Sequence, residues 1–375
     1  MLLGNYAPDQ QESMQHFAQM LLGGLLARGV AVELVRVQPI FGRIGSGASG
    51  VGKWLGYLDK FFLFPRALKR LLRSLGSQDV LHICDHSNAI YTKYAGRIPH
   101  LVTCHDMLAV RSALGEIPEN RTRFPGRIYQ RKILHGLNRA RRVACVSNAT
   151  KVDVERITKL KPNQITVVEN GLNYPYGPIE RSEAIERVAA KIGARPNRFI
   201  LHVGGNQWYK NRHGVVGIYA ELLKILPEGP DLYLVGKTLT RELEAQIDAM
   251  KIRERVRSLA GCDNEDLRAL YSAADALLFP SLAEGFGWPI IEAQACGCPV
   301  VTSNFAPMNE VGGDGAVFID PKDSRSAAAT LRDLLWESGM DRAVRRQKLV
   351  ANAGHFSADR MIDRYLLEYR ALTAG

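Results

Sequence analysis

The stretch 278–302 constrains the fold more than any other part of the chain. An apolar run ends at Pro280, and a glycine-rich turn follows at 284–287. Pro289 suits the first position of a helix, and an apolar pair at 300–301 resumes a strand. A strand, a turn, a helix and a second strand in this order predict a parallel sheet of the α/β class. The glycines let the backbone approach a ligand closely, and the N–H groups at the helix start favour an anion such as a phosphate.

Two carboxylates flank this turn. Glu284 lies in it, and Glu292 follows eight positions later, where we expect the first turn of the helix. The two glutamates, with GFGWP between them, resemble the E-x7-E signature of the family 4 retaining glycosyltransferases. This resemblance implies the GT-B fold, an α/β architecture of two Rossmann-like domains whose parallel sheets face a central cleft. By themselves, the same residues indicate only a helix N-terminus with a charge that favours the helix dipole.

The resemblance also assigns roles around the turn. It implies that Glu284 holds hydroxyl groups of the transferred sugar and that Glu292 holds the ribose of a nucleotide. The backbone at Gly285, Phe286 and Gly287 is then expected beside the phosphates. Because negative charge builds up on the departing phosphate oxygen, preplaced donors there stabilise the transition state.

A second glycine-ended strand precedes a candidate phosphate clamp in the sequence HVGGNQWYKN. Lys210 followed by Asn211 resembles the family's clamp, in which an ammonium group meets the diphosphate. Many relatives carry an arginine where this chain has Gly205. We therefore expect Arg212, or the backbone near Asn206, to replace that arginine.

Three further positions are assigned to the same site. His105 directly follows a predicted strand, at the carboxyl end where parallel sheets place their ligands. A lone histidine is more often structural, but the resemblance implies that this one contacts the donor sugar. Gly4 ends the first strand, where many relatives carry a glycine pair beside donor and acceptor. Gly261 ends another strand and is expected beside the nucleobase.

Length and proline content indicate two domains. A chain of 375 residues suits two domains of ordinary size, and prolines cluster in the stretch 172–196. We predict an N-terminal Rossmann-like, acceptor-side domain at 1–178 and a C-terminal Rossmann-like, nucleotide-sugar-binding domain at 179–355. Helical spacing of apolar residues near the end predicts a helix at 356–375 that crosses back to the first domain. No apolar stretch is long enough to span a membrane, and the start does not resemble a signal peptide, so we expect a cytoplasmic protein.

Charge divides unequally between the two halves of the chain. The net charge is +11; residues 1–180 carry 24 Lys and Arg against 13 Asp and Glu, whereas residues 181–375 carry 25 of each. The excess predicts an acidic partner for the first half: an anionic membrane surface, an acidic acceptor or nucleic acid. The segment 53–74 combines basic and large apolar residues. It indicates either a helix at a membrane interface or a core helix with a solvated basic face that is broken near Pro65.

Two patterns resemble cofactor sites but lack the surroundings that such sites need. The loop at 42–52 contains a GxGxxG-like run without an acidic residue at dinucleotide spacing, so we predict a lid or an acceptor-side loop. Cys296 and Cys298 flank a glycine, but the six cysteines show no zinc spacing, so we expect buried, reduced thiols. We expect no metal and no cofactor, with the nucleotide-sugar as co-substrate.

The function predicted from these features is transfer of a hexose from a UDP- or GDP-linked sugar to a glycan or lipid-linked acceptor, with retention at the anomeric carbon. The enzyme would attach peripherally to the inner membrane face. One alternative is a nucleotide-sugar epimerase of the same fold, and another is a non-catalytic protein that binds anionic membranes or nucleic acid. The basic residues match no recognised nucleic-acid-binding motif, so we expect no nucleic-acid partner.

Overall fold

A computed structural model describes residues 1–9, 11–43 and 51–374 of the protein. The chain divides into two compact units, one formed by Met1–Asn173 together with Ala358–Gly375 and the other by Tyr174–Ser357. Most of the glycine-rich loop predicted as a lid, at 42–52, lies outside the described residues. Among the residues that are described, no helix is long and apolar enough to cross a membrane.

The first unit is built on a parallel sheet of six strands in the order β2-β1-β3-β4-β5-β6. The strands are β1 (Leu2–Gly4), β2 (Leu34–Arg36), β3 (Leu81–Ile83), β4 (His100–Cys104), β5 (Arg142–Cys145) and β6 (Ile165–Val167). Four of them (β1, β3, β4 and β5) are almost wholly buried, as expected for strands covered on both faces. Because all strands run parallel, their carboxyl ends meet at one edge of the sheet.

Helices connect these strands. They are α1 (Glu12–Ala27), α2 (Val51–Leu58), α3 (Phe64–Leu72), α4 (Leu108–Leu114), α5 (Phe124–Leu137) and α6 (Asn148–Ile157). The first helix begins with a polar, largely solvent-facing turn, and its buried side chains Phe17, Leu21 and Leu25 follow.

The basic segment at 53–74 is not broken at Pro65. A five-residue π-helix (Asp59–Leu63) joins α2 directly to α3, and Pro65 lies in the first turn of α3. Helix α3 buries Phe64, Leu68 and Leu72 and exposes its basic side chains. The structure therefore favours a core helix with a solvated basic face.

The last helix of the chain, α15 (Ala358–Thr373), belongs to the first unit. Its Tyr365 hydroxyl lies 2.9 Å from Thr103 Oγ1 of β4. Glu368 accepts a hydrogen bond from Thr166 at 3.1 Å and pairs with Arg142 at 2.5 Å. These polar contacts attach the helix to three neighbouring strands of the first sheet, because Thr166 lies on β6 and Arg142 on β5.

The second unit repeats the plan with a sheet in the order β12-β11-β10-β7-β8-β9, again parallel. Its strands are β7 (Phe199–Gly204), β8 (Asp231–Gly236), β9 (Val256–Ala260), β10 (Ala276–Phe279), β11 (Val300–Ser303) and β12 (Val317–Ile319). Its helices are α7 (Arg181–Ile192), α8 (Arg212–Ile225), α9 (Arg241–Ala249), α10 (Asn264–Ala273), α11 (Trp288–Ala295), α12 (Met308–Gly312), α13 (Ser324–Leu335) and α14 (Gly339–His355). The predicted strand–turn–helix–strand unit is β10, the glycine turn, α11 and β11. Strands β7 and β10 are neighbours in this sheet, although 71 residues separate their ends.

Candidate functional site

The glycine turn between β10 and α11 lies at the carboxyl edge of the second sheet. Gly287 occupies the position before the helix with a φ of 107°, in the left-handed region where other residues are strained. Two hydroxyl groups of β11 fix the chain that leaves β10: Thr302 donates to the carbonyl of Phe279 at 2.8 Å and Ser303 to that of Ser281 at 2.6 Å. The chain that enters the turn is therefore held by β11.

Lys210 and Glu284, which we predicted separately, form one ion pair. Lys210 Nζ lies 2.7 Å from Glu284 Oε1, and their side chains are only 16% and 8% exposed. Ser281 Oγ donates to the same carboxylate oxygen at 2.9 Å. The ammonium group also lies 5.1 Å from the centre of the Phe279 ring. A cation and a carboxylate are thus held together beside the glycine turn, shielded from most of the solvent.

Asn211 has a structural role that the sequence did not reveal. Its backbone adopts the left-handed conformation, with a φ of 54°, which asparagine tolerates better than most residues. Its side chain caps α8 by accepting from the Gly214 N–H and donates to the carbonyl of Pro280 at 2.9 Å. Asn211 therefore ties the start of α8 to the turn after β10 and positions Lys210 beside Glu284.

Arg212, the first residue of α8, points into the protein rather than to the surface. It is 4% exposed, and its Nη1 donates to Asn206 Oδ1 and to the carbonyl of Lys237 at 2.9 Å. Its Nε and Nη2 are buried and have no hydrogen-bond partner within the described residues. Burial lowers the pKa of this guanidinium. Arg212 thus holds Asn206 and the loop after β7.

Glu292 lies deeper in α11 than predicted. It is the fifth residue of the helix, so it belongs to the second turn, and the expectation of a first-turn position is wrong. The side chain is buried and accepts a hydrogen bond from the Tyr271 hydroxyl at 2.9 Å. Burial raises the pKa of Glu292 to about 7, although the tyrosine and the charge of Lys210 favour the ionised form. Tyr271 was missed because its apolar surroundings on α10 indicated only a core residue.

Gly261 and Phe286 are two further predicted residues at the carboxyl edge of the second sheet. Gly261 follows β9 with a φ of 66°, and its carbonyl accepts from Lys191 Nζ at 2.8 Å. Phe286 is buried and packs edge-on against Phe356, with ring centres 5.6 Å apart. The Phe286 side chain therefore anchors the turn, so only its backbone remains for a ligand.

His105 lies at the carboxyl end of β4 in the first unit and is 5% exposed. Its Nε2 lies 2.8 Å from the carbonyl of Cys84, which can only accept, so Nε2 carries the hydrogen. Burial lowers the pKa of His105, so the ring is neutral and Nδ1 is an acceptor. Nδ1 has no hydrogen-bond partner among the described residues. The Phe17 ring meets the imidazole edge-on at 4.7 Å and fixes its orientation.

A group of polar side chains at the same edge was missed by the sequence analysis. Asp85 follows β3 and accepts hydrogen bonds from the Asn5 side chain and from the backbone and hydroxyl of Ser87. Burial opposes ionisation of Asp85, but the interaction with His86, whose Nδ1 lies 3.2 Å away, outweighs burial and holds the pKa of Asp85 below its usual range. The signal was present, because Asp85 and His86 follow an apolar run as directly as His105 does.

Gly4 ends β1 in a crowded position. A Cβ atom there would lie 3.1 Å from Leu34 Cδ1 and 3.2 Å from Arg36 Nε, so a larger residue would displace side chains of β2. In the described part of the chain, no group of three or more His, Cys, Asp or Glu side chains is arranged to hold a metal ion.

Two family models match the chain. One, described as "Glycosyl transferases group 1", matches residues 185–353, and the other, "Glycosyltransferase Family 4", matches residues 14–174. The chain is 28% identical over 335 residues to the O-antigen chain mannosyltransferase B of Escherichia coli, an alignment that covers 87% of this chain and 85% of that protein. It is 26% identical over 248 residues to the O-antigen chain mannosyltransferase RfbU of Salmonella typhimurium, and this alignment covers 65% of each.

Solved structures share the whole architecture. The sucrose-phosphate synthase of Thermosynechococcus elongatus matches with a TM-score of 0.74 and 20% identity, covering 100% of this chain and 98% of that one. Anabaena HepE, solved in complex with UDP and glucose, matches with a TM-score of 0.73 and 20% identity, covering 99% of both chains. Because each unit contains a parallel six-stranded sheet and these solved structures match along the whole chain, the predicted GT-B fold is confirmed.

Proposed function

Because the chain belongs to glycosyltransferase family 4, we propose that it transfers a hexose from a UDP- or GDP-linked donor to a glycan or lipid-linked acceptor with retention at the anomeric carbon. The observation that carries this proposal is the shielded Lys210–Glu284 ion pair beside the glycine turn. It supplies a cation for a diphosphate and a carboxylate for sugar hydroxyls within one hydrogen-bond length of each other.

The donor is assigned to the carboxyl edge of the second sheet. Lys210 binds the diphosphate, and the backbone at Gly285–Gly287, just before α11, lies beside the bound diphosphate. Glu292 takes the ribose hydroxyls, since a buried carboxyl group that accepts from Tyr271 has further acceptor capacity. Gly261 is assigned to the nucleobase. When the nucleoside diphosphate departs, Lys210 stabilises the charge that develops on the leaving oxygen.

The sugar is assigned to Glu284 and His105. Glu284 accepts hydrogen bonds from the hydroxyl groups of the sugar, and the neutral His105 supplies Nδ1 as one further acceptor. Gly4 keeps the end of β1 free of a side chain. Arg212 and Asn206 act on the phosphates through the loop after β7 that they hold.

The names of the relatives guide the choice of sugar and acceptor. Two of them are O-antigen chain mannosyltransferases, which supports mannose as the first sugar and a bacterial glycan as the first acceptor to test. The excess basic charge in residues 1–180 supports attachment of the first unit to an anionic membrane surface. Since α3 uses its apolar face in the core, this attachment would be electrostatic, through exposed residues such as Lys69 and Arg70.

The test of the transfer is an assay with labelled nucleotide-sugars. GDP-mannose and UDP-hexoses are incubated with the protein, with and without a lipid-linked glycan, and the products are analysed by NMR. Transfer with an unchanged anomeric configuration supports the proposal, and an inverted configuration contradicts the retaining mechanism. A changed sugar epimer without transfer would instead indicate the epimerase. Glu284→Ala should lose this transfer, whereas Glu244→Ala, which alters an exposed glutamate of α9, is the control and should keep it.

The test of the membrane attachment is vesicle flotation. Binding to anionic vesicles should fall with added salt and on Lys69→Glu combined with Arg70→Glu, because each basic residue near such a surface contributes about 1 kcal/mol. The control is Lys159→Glu with Lys161→Glu, which reverses two other exposed charges of the first unit. Equal binding to neutral and anionic vesicles would exclude electrostatic attachment.

A further inference from the structure

A groove of about 380 Å³ in the first unit lies between α5, the start of α3 with the preceding π-helix, and a 3-10 helix at His86–Tyr94. None of the residues assigned to donor or sugar lines it. Its wall is largely apolar, formed by Phe61, Pro65, Ile90, Tyr91, Tyr94 and Ile128. The groove can therefore accept a hydrocarbon portion of a ligand.

Basic side chains surround this apolar wall. Three helical elements and the residue Arg139, which follows α5, supply them: Lys60, Lys93, Arg131, Lys132, His135 and Arg139. The described residues that line the groove include no Asp or Glu. Lys60 already pairs with Asp9 at 2.5 Å, but Lys93, Arg131, Lys132 and Arg139 have no carboxylate partner in the described part of the chain. The charge of the groove is thus complementary to an anion with several negative oxygens.

The aromatic rings of the groove are not free for stacking. Lys132 Nζ lies 5.2 Å from the centre of the Phe61 ring, and Tyr94 has Lys93 at 4.9 Å and Lys69 at 5.2 Å from its ring centre. Cations near both rings compete with the face-to-face stacking that single-stranded nucleic acids use. A hydrocarbon chain needs only van der Waals contact with the same wall, so the arrangement favours a lipid over a nucleic acid.

We propose that this groove binds one lipid phosphate, with its phosphate or diphosphate head among the basic side chains and its hydrocarbon chain along the apolar wall. This inference goes beyond the proposed transfer reaction and differs from electrostatic attachment to a membrane surface, because it concerns a single molecule held by Arg131 and Lys132 rather than by Lys69 and Arg70. It requires no donor and no turnover, so it stands or fails independently of the transferase assay.

Calorimetric titration of the full-length protein with alkyl phosphates of increasing chain length, below their micelle-forming concentrations, tests the proposal. Each methylene that enters the groove should lower Kd about fourfold, since its burial contributes a fixed increment of free energy. Inorganic phosphate and pyrophosphate, which carry the charge without the chain, and the matching alcohols, which carry the chain without the charge, should bind far more weakly.

Variants locate the site. Arg131→Gln with Lys132→Gln should raise Kd for the alkyl phosphate about thirtyfold, if each cation contributes as basic residues do at an anionic surface. Lys159→Gln with Lys161→Gln removes two other exposed charges of the first unit and should leave Kd within about twofold. Ile128→Trp fills the apolar side of the groove and should remove the dependence on chain length while the cations remain.

The outcomes separate the possible sources of the phosphate. Equal Kd values for inorganic phosphate and alkyl phosphate would reveal a free-phosphate site and overturn the proposal. An equal loss of alkyl phosphate affinity in the two double variants would show diffuse charge attraction and would also overturn the proposal. In vesicles of equal charge, a preference for phosphatidic acid over phosphatidylglycerol that Arg131→Gln with Lys132→Gln abolishes would support it, because only phosphatidic acid presents a terminal phosphate.

Discussion

The carboxyl edge of the second sheet holds an ion pair, whereas the same edge of the first sheet holds a neutral imidazole with an unpaired acceptor. Lys210 and Glu284 lie 2.7 Å apart and shield each other's charge. His105 donates one hydrogen bond to the Cys84 carbonyl and leaves Nδ1 without a partner in the described residues. Both sites follow the ends of central strands, so their difference comes from side-chain chemistry and not from topology.

This difference suggests that the two edges bind different parts of the donor. A lysine that already has a carboxylate partner can be shared with an incoming diphosphate, which brings far more negative charge than the carboxylate does. A neutral histidine with one acceptor offers a single directed hydrogen bond, which suits a sugar hydroxyl. We therefore expect diphosphate affinity to depend on the residues at the carboxyl edge of the second sheet. Turnover should depend on the residues at both carboxyl edges.

Lys210→Ala should have the largest effect on binding. We expect Kd for the nucleoside diphosphate to rise by a factor of roughly 100, corresponding to about 3 kcal/mol, because a largely desolvated cation is lost. Kd for the nucleoside alone should change little, since the ammonium group is assigned to phosphate. Isothermal titration with both ligands measures this, and Lys224→Ala, an exposed cation of α8, is the control.

Loss of the ion pair also leaves Glu284 with a partly uncompensated charge. Lys210→Ala should therefore lower the free energy of unfolding, and Lys210→Met combined with Glu284→Gln should recover part of it without restoring diphosphate affinity. Equal loss of nucleoside and diphosphate binding in Lys210→Ala would place this lysine away from the phosphates.

Glu284→Gln should act in the opposite direction on binding. It releases Lys210 from its carboxylate, so diphosphate affinity should stay equal or rise, while turnover falls about 100-fold if the carboxylate holds the reacting sugar. Initial rates at saturating donor and acceptor, together with titration of the diphosphate, separate the two effects. Turnover at the wild-type rate would remove Glu284 from the sugar site.

His105→Ala sharpens the contrast between the edges. Turnover should fall by a factor of about 10 to 100, and the diphosphate Kd should stay within about threefold of wild type, because the lost hydrogen bond is assigned to the sugar. Phe17→Leu removes the ring that orients the imidazole and should lower turnover less than His105→Ala does. If His105→Ala weakens diphosphate binding as strongly as Lys210→Ala, the two edges do not differ as proposed.

Glu292 should make nucleoside binding depend on pH. Burial raises its pKa from 4.5 to about 7, so in the ligand-free enzyme it is protonated at pH 6 and ionised at pH 8. Ribose hydroxyls donate to the ionised form, so nucleoside affinity should rise as the pH passes through 7 and then level off. An uncharged nucleoside is the appropriate ligand, because the phosphates of a nucleotide titrate in the same range. Glu292→Gln should give lower affinity without this pH dependence.

The raised pKa of Glu292 also predicts how the free energy of unfolding changes with pH. Between pH 4.5 and about 7 the folded protein binds the proton of Glu292 more tightly than the unfolded chain does. Its contribution to the free energy of unfolding therefore falls as the pH rises through that window, by up to about 3 kcal/mol, and is constant above it. The free energy of unfolding, measured by urea denaturation, should differ less between pH 5 and pH 8 in Glu292→Gln than in wild type. Equal differences would contradict the raised pKa.

Local signals predicted the framework of this site, but not its contacts. Apolar runs that end in glycine or polar residues predicted where strands stop, so the positions of His105, Lys210 and the glycine turn followed from the sequence. The Lys210–Glu284 pair spans 74 residues and depends on β7 lying beside β10, which no short pattern encodes. The depth of Glu292 in α11 depends on where the helix begins, and helix ends are the least certain part of any pattern.

Arg212→Met should have the smallest effect on ligand binding. Its side chain at the carboxyl edge of the second sheet is 4% exposed and donates to Asn206 and to the Lys237 carbonyl. Its loss should lower the free energy of unfolding by about 1–2 kcal/mol, since two hydrogen bonds are removed. Diphosphate Kd should rise less than about fivefold, a loss that Asn206→Ala should share because both variants release the same loop. A rise in Kd as large as that of Lys210→Ala, with no such rise in Asn206→Ala, would instead show that the two unpaired guanidinium nitrogens reach the phosphate directly and replace the arginine absent at Gly205.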